Sequence, residues 1–176
     1  MATNLQFIKS TSITAGVTTV NVDNVFSDQY DVYYCQVLGV FHDTDVSNGI
    51  EGYRLIDNSG SVVTQNEYDS AGLNLKTNTS FSETRFIDSG QLYAGLYTDR
   101  LSDGQASASF YIINPYNSSS YTFMLSQAMG ANSSGNWGSK FIAVHKSAET
   151  IRGFQLYESN GARTFGGGQI NVYGVK

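Results

Sequence analysis

The sequence predicts an all-β protein: an antiparallel, jelly-roll-like β-sandwich of about ten strands with little or no helix. Three observations carry this. Apolar and polar residues alternate with a period of two in run after run, as in half-buried strands. Turn-forming Gly, Asn, Asp and Ser punctuate those runs at short intervals. Charged residues make up only 14% of 176 residues, against about 25% in ordinary soluble domains; Ser, Thr, Asn, Gly and Tyr replace them, a mixture that builds strands and turns and makes helices poorly.

Leu5, Phe7 and Ile8 begin a first strand, turned at Thr14-Ala15-Gly16, and the β-branched run Val17–Val22 forms a second. Phe26 and Tyr30 bracket a short loop. Asp31–Val40 is nearly all apolar or aromatic and is expected at the centre of a sheet, covered on both faces. Phe41–Gly49 reads as a polar loop. Tyr53, Leu55 and Ile56 form a strand closed by Asp57-Asn58-Ser59-Gly60, and Val62-Val63-Thr64 returns from it. Tyr68–Asn78 reads as a loop anchored by Leu73 and Leu75. Phe81–Ile87 is a strand, and Gln91–Tyr97 fits strand and loop alike, before a break at Asp103-Gly104. Gln105–Ile113 alternates strictly and stops at Asn114-Pro115, the one proline, placed where no ladder donor is lost. Tyr121–Met129 and Lys140–Lys146 are strands joined by Ala131–Gly138. Ile151–Tyr157 and the final run around Ile170 and Val172 read as a β-hairpin reversed at Ser159-Asn160-Gly161.

Residues 1–176 form one domain on this reading, long enough to bury roughly 70% of the unfolded surface without metal or disulfide. No repeat of fixed period points to a propeller or solenoid. A net charge of −5 with Lys and Arg scattered singly excludes a nucleic-acid footprint. No apolar run is long enough to span a membrane. The N-terminus lacks a signal-peptide pattern, and the lone Cys35 fits folding in a reducing cytosol. The sequons at Asn78, Asn117 and Asn132 are then products of an Asn/Ser-rich composition.

Candidate chemistry is sparse. His42-Asp43-Thr44-Asp45 with Asn48 and Glu51 gathers oxygen donors as calcium requires. However, Gly49 falls one place late for an EF-hand and Arg54 stands at the twelfth position, so these read as solvated loop carboxylates and no metal is expected. His145 shares a face with Phe141 and Ala143 and reads as a satisfied histidine at a core edge. No nucleophile, zinc-protease or paired-cysteine motif is present, so no catalytic residue and no cofactor are assigned. Gly166-Gly167-Gly168 lacks the Lys-Ser/Thr and helix of a phosphate loop and reads as a bulge or a close backbone approach. Trp137 reads as a buried loop plug or, if exposed, a sugar-stacking ring. The twelve tyrosines, with Ser, Asn and Gly, have the composition of a binding face as well as of strands. Trp137, Tyr116 and Tyr121 are the candidate ligand or partner contacts.

At Phe26…Tyr30-Asp31-Val32-Tyr33, at Asn114-Pro115 after Ile112-Ile113, and at Gly168-Gln-Ile-Asn-Val-Tyr-Gly-Val-Lys176, the chain resembles a group of tailed-bacteriophage virion proteins. Tyr30, Tyr33, Gly161, Gly168, Tyr173 and Gly174 fill the places of their motifs, and the similarity spans most of the chain. The resemblance implies a jelly-roll module on a phage particle, made in the host cytoplasm. Its first form is a capsid decoration (cement) protein that clamps major capsid protein or other virion subunits, commonly as a homotrimer. Its second is a fibre-tip or other appendage module that binds host-surface glycan. A glycan-degrading enzyme ranks third, and no catalytic residue is carried over.

Overall fold

The computed structural model describes residues 4–43, 49–77, 81–98, 105–132, 135–159 and 163–176. They form twelve strands and no helix: β1 Leu5–Ile13, β2 Thr19–Val22, β3 Val32–His42, β4 Gly49–Asp57, β5 Tyr68–Lys76, β6 Ser82–Ser89, β7 Leu92–Thr98, β8 Ala106–Ile113, β9 Thr122–Asn132, β10 Gly135–His145, β11 Ile151–Glu158 and β12 Phe165–Val175. An eight-stranded sheet runs β1-β12-β3-β8-β9-β10-β5-β6 and a four-stranded sheet runs β2-β11-β4-β7. Every pairing is antiparallel.

The order contains a jelly roll. β1 pairs with β12, β2 with β11, β3 with β8 and β4 with β7, so four strands of the first part of the chain nest against four of the second. Rolling such nested pairs up gives two four-stranded sheets, β1-β12-β3-β8 and β2-β11-β4-β7. Two inserted hairpins, β5-β6 and β9-β10, join through the β10–β5 ladder and extend the first sheet to eight strands.

Alternation builds these elements. Along β3 the even-spaced Tyr33, Cys35 and Val37 are buried, and along β10 Ser139, Phe141, Ala143 and His145 are. The core draws on both sheets. At its centre the Phe154 ring of β11 lies 5.6 Å from Phe110 of the opposite sheet, 6.4 Å from Tyr53 and 6.1 Å from Phe26. Tyr33 packs edge-on against Phe26, and its hydroxyl donates to Ser27 O and accepts from Ser27 N, so the buried phenol is satisfied.

Several expectations need correction. Tyr68–Asn78 is not a loop, since Tyr68–Lys76 is β5, paired on both sides. Its inward positions include Ser70 and Asn74 beside Tyr68, which hides the apolar period. Gly72 is there because a Cβ would lie 2.4 Å from the Phe141 ring. The terminal hairpin is not one: β11 sits between β2 and β4, whereas β12 sits between β1 and β3. The link between them crosses from sheet to sheet, as a jelly roll demands. β3 is central, but only one face is covered, with Leu38 exposed. β3 reaches His42, β7 is a strand, and β9 and β10 extend through most of Ala131–Gly138. The Asp103-Gly104 break, Asn160-Gly161 of the expected turn and the sequon at Asn78 lie outside the described residues, as do Ser133 and Ser134.

Gly166–Gly168 form a bulge, with the β12–β3 register slipping at Gly167. Gly168 has φ of 138°, and a Cβ there would press on Leu38 O and the Ile13 and Val40 side chains. Cys35 is fully buried, and burial pushes its thiol far up from the usual range.

Phe154→Ala is expected to cost about 3–5 kcal/mol, because it empties the point where both sheets meet; urea titration followed by circular dichroism measures it. Cys35 is expected to stay unmodified by a disulfide reagent in native buffer and to react fully once the chain is unfolded. Prompt native labelling would contradict its place in the core.

Candidate functional site

The four-stranded sheet covers one face of the large sheet and leaves the other to solvent. Register places a single row of side chains across all eight strands of that open face. Phe7 is opposite Tyr173, Tyr173 opposite Tyr34, Tyr34 opposite Tyr111, Tyr111 opposite Leu125, Leu125 opposite Ile142, Ile142 opposite Ala71 and Ala71 opposite Arg85. The rings touch in sequence: Phe7–Tyr173 at 5.7 Å, Tyr173–Tyr34 at 6.2 Å and Tyr34–Tyr111 at 5.2 Å. Aromatic side chains therefore make up the β1 half of the row and aliphatic ones most of the rest.

A second row, Ile113, Phe123 and Val144, lies next to the aliphatic part and ends at Asp69. With Ile87 and Ile142 it lines a shallow trough of about 620 Å³. On the other side runs a polar row, Asn171, Gln36, Ser109, Gln127 and Lys140. Ile142 is 62% exposed, Leu125 45% and Phe123 43%, high for such residues in mid-sheet. Contiguous apolar surface of this extent is rare on a monomer and sets this face apart.

The residues singled out from sequence fall elsewhere. Tyr116 and Tyr121 are exposed in the β8–β9 connection. Trp137 is half-buried near the start of β10, paired with Gly130; its ring lies 5.0 Å from Tyr97 and the Lys76 ammonium sits 3.8 Å over it. Gly130 of β9 stands nine residues along an extended run from Tyr121, which immediately precedes that strand, about 30 Å away, so Trp137 and the two tyrosines do not form one site. Trp137 is closer to the plug than to a free stacking ring.

No protein-family model matches the chain, and no curated protein does. Among solved structures it is similar to the CBM2 module of an evolved Dit from Lactobacillus casei BL23 phage J-1, with 8% identity, 89% of this chain and 68% of that one covered, and a TM-score of 0.25. It is also similar to a human SPRY domain, with 10% identity, 93% and 96% covered, and a TM-score of 0.20.

Two histidine–carboxylate clusters lie at opposite ends of the sandwich. In the first, His42 at the end of β3 meets Glu51 of β4 through Nε2 at 2.8 Å, and Thr98 donates to the same Glu51 oxygen at 2.5 Å. His42 Nδ1 is 3.2 Å from Thr164 O, and the Phe165 ring stacks on the imidazole. Glu51 is buried, so it is not the solvated loop carboxylate the sequence suggests; Glu158 faces it across the ladder and is buried too. Asp43 accepts from Thr164 Oγ1 with both oxygens. Thr44, Asp45 and Asn48 of the oxygen-rich stretch lie outside the described residues.

Burial opposes protonation of His42. The hydrogen bond and charge of Glu51, with the Thr164 carbonyl, outweigh burial and hold its pKa above 6.5, while Arg163 pulls the other way. The second cluster joins His145, at the end of β10, to Glu67 and Glu149. Burial comes first in raising the Glu149 carboxyl, with Asp57 and Glu67 adding to it and His145 opposing.

His42→Ala is expected to cost about 3–5 kcal/mol, since it strands the Glu51 carboxylate in the core. Because the folded His42 pKa is raised, the stability it supplies is full below pH 6.5 and is lost as pH rises through the folded value. Denaturant midpoints from pH 5.5 to 9 should show that fall in the parent chain and not in His42→Ala.

Proposed function

We propose that this chain is a non-enzymatic virion module of a tailed phage, a capsid decoration protein whose open large-sheet face docks on neighbouring shell subunits. The observation that carries the docking reading is the exposed band from Phe7 to Ile142 with its trough at Phe123 and Val144. The phage assignment rests on the resemblance at Tyr30–Tyr33, Asn114-Pro115 and Gly168–Lys176.

The face has the dimensions of an interface. Eight strands at about 4.8 Å spacing span about 34 Å, and from the Ile113 row to the Met129 row is about 20 Å. The product, about 700 Å², is close to the ~800 Å² that one partner contributes to a standard protein interface. Its centre is aliphatic, with polar side chains along one flank, the layout of a protein contact. Bound across subunit boundaries, the module favours the assembled shell by mass action. Trimeric assembly would cover the open edges β1 and β6 around a closed axis.

A second reading has its own observation. The Phe7–Tyr173–Tyr34–Tyr111 end of the band is a run of neighbouring rings, exposed at Phe7 and Tyr111 and half-buried at Tyr173 and Tyr34, and rings on a surface stack on sugars. Under that reading the chain is a glycan-binding appendage module, and the aromatic end rather than the aliphatic centre meets the ligand.

Leu125→Arg and Ile142→Arg are expected to leave the melting temperature nearly unchanged, since both side chains are exposed. Each should weaken attachment to shells by about 2 kcal/mol or more, roughly thirty-fold. Co-sedimentation with stripped particles measures this. Undiminished attachment by both variants would rule out docking through this face. Tyr34→Ala with Tyr173→Ala tests the glycan reading on host-cell adsorption. Electron microscopy of intact particles locates the density, and its absence from shell and appendages alike would end both.

A further inference from the structure

The cluster at the far end of β10 has the makings of a metal centre. Glu67 immediately precedes β5, His145 closes β10, and the two strand ends are tied by Lys146 N donating to Glu67 O at 2.8 Å. Glu149 follows four residues after His145 in the link to β11. His145 Nε2 lies 3.2 Å from Glu67 Oε2 and 3.5 Å from Glu149 Oε1, and the three donor atoms all fall within 4.8 Å of one another.

The imidazole is wholly buried, its ring 4.9 Å from that of Tyr68, and Nδ1 has no hydrogen-bond partner among the described residues. Only Nε2 meets polar groups, and both of those are carboxylates. The carboxylates are 41% and 34% exposed and border a polar recess of about 290 Å³ that Asp57, Ser61, Gln65 and Ser147 also line.

A neutral imidazole has one N–H to give here, and two carboxylates compete for it. A divalent cation satisfies both charges and the Nε2 lone pair together. Two ligands each ~2.1 Å from a metal, at angles between octahedral and tetrahedral, are about 3.0–3.4 Å apart. The 3.2 and 3.5 Å separations already approach such edges. We infer that His145, Glu67 and Glu149 form a zinc site, with one further position open to water from the recess. One imidazole and two carboxylates are zinc donors, whereas calcium and magnesium take all-oxygen sets. The site stands apart from the docking face and does not depend on the phage reading. Zinc held there would pin the β10–β11 link to the start of β5.

The test uses the full chain stripped with chelator and titrated with zinc chloride in a calorimeter, with calcium and magnesium chloride as separate arms. One zinc per chain is expected, weakened about tenfold or more in Glu149→Gln and in Glu67→Gln. Both substituted side chains are partly exposed, so the fold survives in these variants even if His145→Gln unfolds. X-ray absorption should show one imidazole among nitrogen and oxygen ligands. Absence of saturable zinc binding overturns the inference, as do variants that bind zinc like the parent. Calcium binding as tight as zinc, with no imidazole in the spectrum, overturns it equally.

Discussion

The backbone of β7 sets the terms for much of this molecule. β7 is the edge of the small sheet and lies over β9, β10 and β5 of the large one. Between Ile50↔Tyr97 and Gly52↔Tyr93 its ladder with β4 slips, so Ala94, Gly95 and Leu96 bulge out of register. Buried main-chain groups released in this way must find partners or cost the full penalty of desolvation. They find serines. Ser126 Oγ donates to Ala94 O at 3.0 Å, Ser139 Oγ donates to Gly95 O at 2.8 Å, and Tyr93 N donates to Ser70 Oγ at 3.1 Å. Each serine comes from a different strand of the inserted hairpins. The extension of the large sheet is thus fastened to the jelly roll by hydrogen bonds as well as by apolar packing. Gly95 fits the same geometry, with φ of 69° and no room for a Cβ beside Ser139.

That arrangement also accounts for the exposed face. A jelly roll of two four-stranded sheets hides one face of each. Adding four strands to one sheet without adding any to the other widens the uncovered surface as well as the covered one. The added strands β9 and β10 bring Phe123, Leu125, Ile142 and Val144 to the outside, and β5 brings Leu73, the most aliphatic part of the open face. The aromatic part belongs to the original jelly-roll strands β1, β12, β3 and β8. The insertions therefore extend an aromatic strip into an aliphatic platform.

The strands that read clearly in the sequence are those whose inward positions are apolar, such as β3, β8 and β12. β5 was illegible because its inward residues include Ser70, Gly72 and Asn74. These answer the β7 backbone, the Phe141 ring and the Tyr97 and Thr84 side chains rather than a hydrophobic period. The terminal hairpin misled for another reason. Turn residues show that a chain reverses, not which sheet receives the next strand. β11 carries a warning, since six consecutive residues from Gly153 to Glu158 are buried, more than one half-covered strand can hide. Trp137, Tyr116 and Tyr121 stand out by residue type, but the open face is assembled by register. No local pattern links Phe7, Tyr111 and Ile142. His42 and Glu51 lie nine residues apart across a stretch that reads as a solvated loop, and only the strand ends bring them together in the core.

The two histidine clusters use the same side chains in opposite ways, and burial decides which. His42 and Glu51 are both wholly buried, so neither can trade its partner for water without opening the end of the sandwich. The pair acts as a buried lock between the end of β3 and β4. At the other end the histidine alone is buried, and the carboxylates of Glu67 and Glu149 stand at the rim of a polar recess. Those oxygens can turn toward water or toward a cation at the cost of rotamers instead of core packing. Of the two clusters, the one whose carboxylates meet solvent is at the His145 end, where the β10–β11 link leaves the large sheet for the small one.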